Sequence, residues 1–208
     1  MTQLTELSAH ICEMRNSLPT TQSLLVGISG IDASGKGFVT SKLADTLSGS
    51  LNIAVIHADD WLDLPHVRFG RSDPGGHFYE NSLRLDEMFE RLILPLKQTA
   101  KVDLVANVLK ETSTEFLSRR YCFQNIDIIL LEGIFLFKQA YVRHYDLRIW
   151  IDCDFDTALQ RAIARSQEGL SSDETVTAYN NIYVPAQRLH FATDQPQKAA
   201  DLTFKNDR

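Results

Sequence analysis

Leu24-Leu25-Val26-Gly27-Ile28-Ser29-Gly30-Ile31-Asp32-Ala33-Ser34-Gly35-Lys36-Gly37-Phe38 is the stretch that decides the fold. Its first part is a continuous apolar run, as expected of a central parallel strand buried on both faces. From Gly30 it reads G-x-x-x-x-G-K, and a helix-like run to Leu47 follows. In such a strand-loop-helix unit the backbone N–H groups of Gly30, Ile31, Asp32, Ala33, Ser34, Gly35, Lys36, Gly37 and Phe38 are candidates to surround a phosphate chain. The helix turns its positive N-terminal end toward the same anion. Lys36 would reach the outer phosphates as a point charge. The alternative is an ordinary glycine-rich turn, and the strand before and helix after the loop argue against it. One position departs from the pattern: the residue after the lysine is normally Ser or Thr and here is Gly37.

Outward from this loop, strands and helices alternate. Leu4, Leu7, Ile11, Met14 and Leu18 repeat at three-four spacing, an amphipathic helix that Pro19 stops. Strands are expected over 23–28, 51–57, 127–131, 147–151 and 200–204. Helices are expected over 36–48, 82–94 (ended by Pro95), 154–167 and 171–183, the last capped by Ser172 or Asp173. Residues 102–108 and 116–123 read as a hairpin, and 62–80 as a long turn-rich loop of the kind that is functional or mobile. The order predicts one α/β domain over 1–208 with a mostly parallel central sheet and helices on both faces. In such sheets ligands sit at the carboxyl ends of the strands.

Three clusters fall at those ends: the glycine loop, Asp59-Asp60 and Glu132. A carboxylate at Asp59 would face the outer phosphates, accepting a proton from an attacking hydroxyl or holding Mg²⁺. A pair of loop or capping aspartates is the bland alternative. Glu132 closes the apolar run Ile128 to Leu131, where a second acid would hold Mg²⁺ directly or through water. Gly133 beside it keeps the space open. Arg161 and Arg165 lie four apart and share one helix face. They would clamp transferring phosphates from a lid spanning about 161–188, or else form a solvated helix face.

Composition sets limits on the rest. Apolar residues are 44% and charged residues 23% of the 208, ordinary for a globular domain. A net charge of −6 argues against nucleic acid as the main partner. No apolar run is long enough for a membrane span, and Glu6, His10 and Glu13 argue against a signal peptide. Cys12, Cys122 and Cys153 are too scattered for a disulfide framework or metal site, so they read as reduced thiols of a cytoplasmic protein.

Taken with His57-Ala58-Asp59-Asp60-Trp61-Leu62, Leu130 to Ile134, Leu159 to Arg165, Tyr183 to Arg188 and Ala200-Asp201-Leu202, the loop resembles the uridine kinase, phosphoribulokinase and nicotinamide riboside kinase superfamily. The resemblance runs from about Leu24 to Asn206. It implies ATP and Mg²⁺ as co-substrates and transfer of a γ-phosphoryl group to a small-molecule hydroxyl, with Asp59 as base and metal neighbour. It implies phosphate roles for Lys36, Arg161 and Arg165, and a metal or substrate role for Glu132. Asp60, His77, Tyr79, Arg84 and Arg188 become substrate candidates, and 193–200 an adenine-side stretch. Dimers and tetramers are common among such kinases. Gly37 leaves a rival: a nucleotide-binding regulator or pseudokinase. Thr40 lies about 4.5 Å further along the helix, too far to replace the hydroxyl simply.

Overall fold

The computed structural model describes residues 2–70, 72–110, 112–166 and 169–206. The order is α1 (Thr2–Asn16), β1 (Leu24–Gly30), α2 (Lys36–Leu47), β2 (Ile53–His57), a 3₁₀ turn (Ala58–Trp61), α3 (Pro65–Arg68), α4 (Pro74–Asn81) and α5 (Leu85–Met88). A π-helical turn (Phe89–Ile93), α6 (Leu94–Thr99), β3 (Val102–Val108), β4 (Leu117–Phe123), β5 (Ile128–Gly133), α7 (Gln139–Val142) and β6 (Leu147–Asp152) follow. The chain ends with α8 (Phe155–Ala164), α9 (Ser172–Ala178), a second π turn (Tyr179–Tyr183), α10 (Val184–Asp194), α11 (Pro196–Ala199) and β7 (Leu202–Lys205).

Five strands form a parallel sheet in the order β2-β5-β1-β6-β7, and β3 and β4 form a separate antiparallel hairpin. All of β1 and β5 is buried, which explains their unbroken apolar sequences. Alternation divides their side chains between two cores. Leu24, Val26, Ile28, Ile128 and Leu130 pack with α1 and α2 through Leu7, Ile11, Val39 and Leu43. Leu25, Ile129 and Leu131 face Met88, Phe89, Leu92 and Leu96 on the other side. Helices therefore cover both faces, giving three layers.

Pro95 reads as a helix stop in sequence, yet the coil continues through it to Thr99. Proline lacks the N–H of the regular ladder, and its ring collides with the carbonyl four residues back. The π turn just before Pro95 widens the coil there. The same device recurs at Tyr179–Tyr183, ahead of Pro185, so the helical run expected over 171–183 also carries on, into α10. Ser171, rather than Ser172 or Asp173, caps α9. Its hydroxyl accepts from the Glu174 N–H, and the Glu174 carboxylate returns the bond, a full capping box. The 62–80 segment is not loop throughout, since α3 and α4 lie within it, with Pro65 and Pro74 in their first turns. Gln167, the expected end of α8, lies outside the described residues.

A buried polar cluster joins α4, α10 and the start of α7. Asp194 accepts from the Tyr79 hydroxyl (2.5 Å), from His190 Nδ1 (2.7 Å) and from the Gln139 N–H (2.9 Å). Lys138 Nζ donates to the Tyr79 carbonyl at 2.6 Å and lies 4.2 Å from the centre of its ring. Burial holds the His190 imidazole below its ordinary pKa, against the pull of Asp194. Burial alone would raise the Asp194 carboxyl, but the bonds from His190, Tyr79 and Gln139 outweigh it, so its pKa falls.

Two outcomes follow from this packing. At Gly27 in mid-strand, a Cβ would sit 2.6 Å from two Tyr145 ring carbons. Gly27→Ala is expected to cost about 1–3 kcal/mol and to lower the thermal midpoint by about 2–12 °C. Gly49→Ala, where a Cβ meets nothing within 4 Å, should leave the midpoint unmoved. For His190 the sign is set by its lowered folded pKa: the unfolded chain binds the proton first. Stability is thus retained at pH 7.5 and lost as pH falls below about 6.5. Urea unfolding at pH 7.5 and 5.5 should show a smaller loss in His190→Gln than in the wild type.

Candidate functional site

The loop between β1 and α2 turns on two positive-φ residues, Ala33 at +55° and Gly35 at +94°. Gly35 stands at the cap of α2, so the unsatisfied N–H groups of the first helical turn open toward the concave side of the loop. The Lys36 ammonium folds back on its own loop and donates to the Ile31 carbonyl at 2.8 Å, almost fully buried. The buried Ser34 hydroxyl has no hydrogen-bond partner among the described residues. A cradle of backbone donors, a loop-bound lysine and an orphaned hydroxyl fit a polyphosphate.

The parallel register brings the acids to the same edge. Ser29 Oγ donates to the Gly133 carbonyl at 3.1 Å, tying the start of the loop to the end of β5. His57 pairs in register with Glu132 on β5. His57 Nδ1 lies 2.7 Å from Glu132 Oε1. That bond is the main reason the imidazole is held above its ordinary pKa, and Asp60 and Asp59 add to it. Gly133 is needed where it stands, because a Cβ would come within 2.5 Å of Ala58 Cβ. The 3₁₀ turn carrying Asp59 and Asp60 therefore packs directly on the end of β5. Asp59 is exposed on that turn.

Asp60 accepts from Arg119 of the hairpin, and its carbonyl takes the Leu109 N–H at 3.0 Å. Arg84 is mostly buried. It donates to the Asn107 carbonyl (2.6 Å) and to Glu87 (2.5 Å), and its guanidinium lies over Trp61 and Phe116. Arg84 thus pins the hairpin to the acid-bearing turn. The Tyr79 ring is in the core and its hydroxyl is bound to Asp194. His77 Nε2 donates to the Val67 carbonyl at 2.7 Å, closing the segment between α3 and α4. Arg188 is exposed, with its guanidinium 5.9 Å from the Phe155 ring.

Arg161 reaches the loop from outside. Its guanidinium donates to the Ser34 carbonyl (3.3 Å), to the Asn206 carbonyl (2.7 Å) and to Cys153 Sγ (3.3 Å). Arg165 is exposed and lies close enough to influence Tyr179 electrostatically. The Tyr179 hydroxyl donates to Asp32 at 2.5 Å. Burial first, and then the Asp32 charge, push its pKa far above the usual value. Sequence reasoning missed His57, Arg119, Tyr179 and Asn206. His57 alone carried a signal, since it ends a strand next to the acids.

Among the described residues no group of three or more His, Cys, Asp and Glu is arranged to hold a metal. Thr40 Oγ1 donates to the Lys36 carbonyl at 2.9 Å, so it does not stand in for a hydroxyl at position 37. The chain offers two carboxylates, Asp59 and Glu132, one of them shared with His57. That donor set suits a divalent ion held chiefly by phosphate oxygens and water. No helix among the described residues is long and apolar enough to cross a membrane.

Comparison with known proteins agrees with this geometry. A uridine kinase of Lactococcus lactis is 26% identical over 188 residues, covering 87% of each chain. Among solved structures, a possible uridine kinase from Bacillus stearothermophilus superposes with a TM-score of 0.72 at 21% identity, covering 97% of this chain and 99% of that one. Phosphoribulokinase from Rhodobacter spheroides superposes with a TM-score of 0.60 at 12% identity, covering 90% and 71%. The profile of the Phosphoribulokinase / Uridine kinase family matches residues 25–206. With nearly its whole length matched, the chain belongs to the phosphoribulokinase / uridine kinase family of kinases.

Proposed function

We propose that the chain transfers the γ-phosphoryl group of ATP to a hydroxyl of a small metabolite, nucleoside-like or sugar-like. The observation that carries this reading is the convergence of a phosphate cradle, an exposed carboxylate at Asp59 and a buried one at Glu132 on the adjacent ends of β1, β2 and β5. The loop N–H groups and Lys36 bind and orient the triphosphate. On binding, the Lys36 ammonium exchanges the Ile31 carbonyl for phosphate oxygen. Asp59 takes the proton of the attacking hydroxyl. Glu132, oriented by His57, fixes the floor of the cleft. Mg²⁺ on the nucleotide would be held by Asp59 and Glu132, directly or through water, and would neutralise charge on the phosphates. Arg165, at the end of α8, is the candidate to cover the transferring group as the 161–188 region closes. Arg188 and the hairpin side of Asp60 border the acceptor.

A second reading is favoured by Gly37 and by the engaged Thr40 hydroxyl: a nucleotide-binding regulator with little turnover. The geometry makes the two separable, because a Cβ on Gly37 would meet nothing within 4 Å. A serine therefore fits there without strain.

ADP release from purified protein with ATP and Mg²⁺, screened against nucleosides, pantothenate and sugar phosphates, tests the kinase reading. Silence with every acceptor class sinks it. With an acceptor found, Asp59→Asn should lower kcat by about 100- to 10,000-fold while ATP affinity stays within a few-fold. Gly37→Ser should lower the Mg²⁺ concentration needed for half-maximal rate. If turnover appears only in Gly37→Ser, the regulator reading holds for the natural chain.

A further inference from the structure

The phosphate loop is gripped from behind by a residue at the far end of the chain. Asn206, just past β7, donates its side-chain amide to the Ser34 carbonyl at 2.7 Å. Its own N–H donates to the Asp152 carbonyl at 2.8 Å, which fixes it to the end of β6. Arg161 bridges the same two residues, donating to the carbonyls of Ser34 and Asn206. The Asn206 amide also occupies the space a side chain at residue 35 would need. A Cβ on Gly35 would lie 2.2 Å from Asn206 Nδ2. The glycine is thus required twice, for its φ of +94° and for this close approach.

In a trans peptide the carbonyl and the following N–H point in opposite directions. Two donors that hold the Ser34 carbonyl outward therefore turn the Gly35 N–H the other way. We infer that Asn206 and Arg161 are positioning residues of the phosphate loop, fixing the Ser34–Gly35 peptide so that the Gly35 N–H faces into the anion cradle. Neither side chain need touch the phosphates. The cradle is pre-organised because the carbonyl has strong partners elsewhere, and a free loop would have to pay that ordering on binding. Arg161 acts here through geometry as well as charge: its fork spans two carbonyls, which a lysine ammonium on a single stem does not reproduce. The inference rests on reading the loop as a nucleotide site.

Tripolyphosphate is the discriminating probe, since it carries neither base nor sugar. Its affinity and that of ATP are measured by calorimetry on the full chain, with the thermal midpoint recorded for each variant. Asn206→Ala should weaken both ligands by about three- to tenfold, and Asn206→Asp by more, because a carboxylate would face the Ser34 carbonyl. Arg161→Lys, which keeps the charge, should weaken tripolyphosphate as well. The Gly35 amide resonance, shifted by tripolyphosphate in the wild type, should shift less in the variants. Weaker ATP binding with unchanged tripolyphosphate affinity would place Asn206 on the base and overturn the inference, as would wild-type affinity in Arg161→Lys. If Asn206→Ala does not fold, Arg161→Lys decides, since it loosens the same carbonyl. If the wild type binds neither ligand, the nucleotide reading of the loop fails instead.

Discussion

The register of β1 against β5, and of β5 against β2, is the constraint on which the rest depends. Ile28 lies opposite Glu132, and Glu132 opposite His57. In a parallel sheet one such alignment sets the level of every strand end. It places the start of the phosphate loop, the buried glutamate and the acid-bearing turn on one edge. Two contacts hold that edge closed: the Ser29 hydroxyl on the Gly133 carbonyl, and Gly133 against the Ala58 side chain. Both require small residues, and both are a residue away from the chemistry.

Much of this was legible in sequence because it is local. Apolar runs gave β1, β5 and β6, turn chemistry gave the loop, and the hairpin strands fell where expected. What escaped was set by partners distant along the chain. Pro95 and Pro185 look like stops in one dimension, and only the π turn ahead of each shows how the coil passes. The resemblance makes Tyr79 and Arg84 substrate candidates; the bonds of Tyr79 to Asp194 and of Arg84 to the Asn107 carbonyl are not legible from it. The His57–Glu132 contact needed the strand register, and the Asn206 contact needed the position of a strand more than 170 residues from the loop. Side chains that bond to backbone carbonyls leave no pattern in a single sequence.

Arg161 shows how a plausible local argument changes in three dimensions. Its spacing from Arg165 puts both on one helix face, which suits a paired clamp. In the structure Arg161 bonds to the Ser34 and Asn206 carbonyls and to Cys153, and Arg165 is exposed at the helix end.

The hydrogen bond between Asp32 and Tyr179 joins the phosphate loop to the segment that follows α9. Tyr179 also meets Tyr183 edge-on, and Tyr183 packs against Phe78 of α4. The chain of contacts runs from the β1–α2 loop, through the second π turn, to α4. Thermodynamic linkage makes any coupling along it reciprocal. By whatever factor a ligand at the loop changes affinity for a second ligand beside α4, the second changes affinity for the first equally. Each ligand would then act on the other to the same extent, whichever binds first.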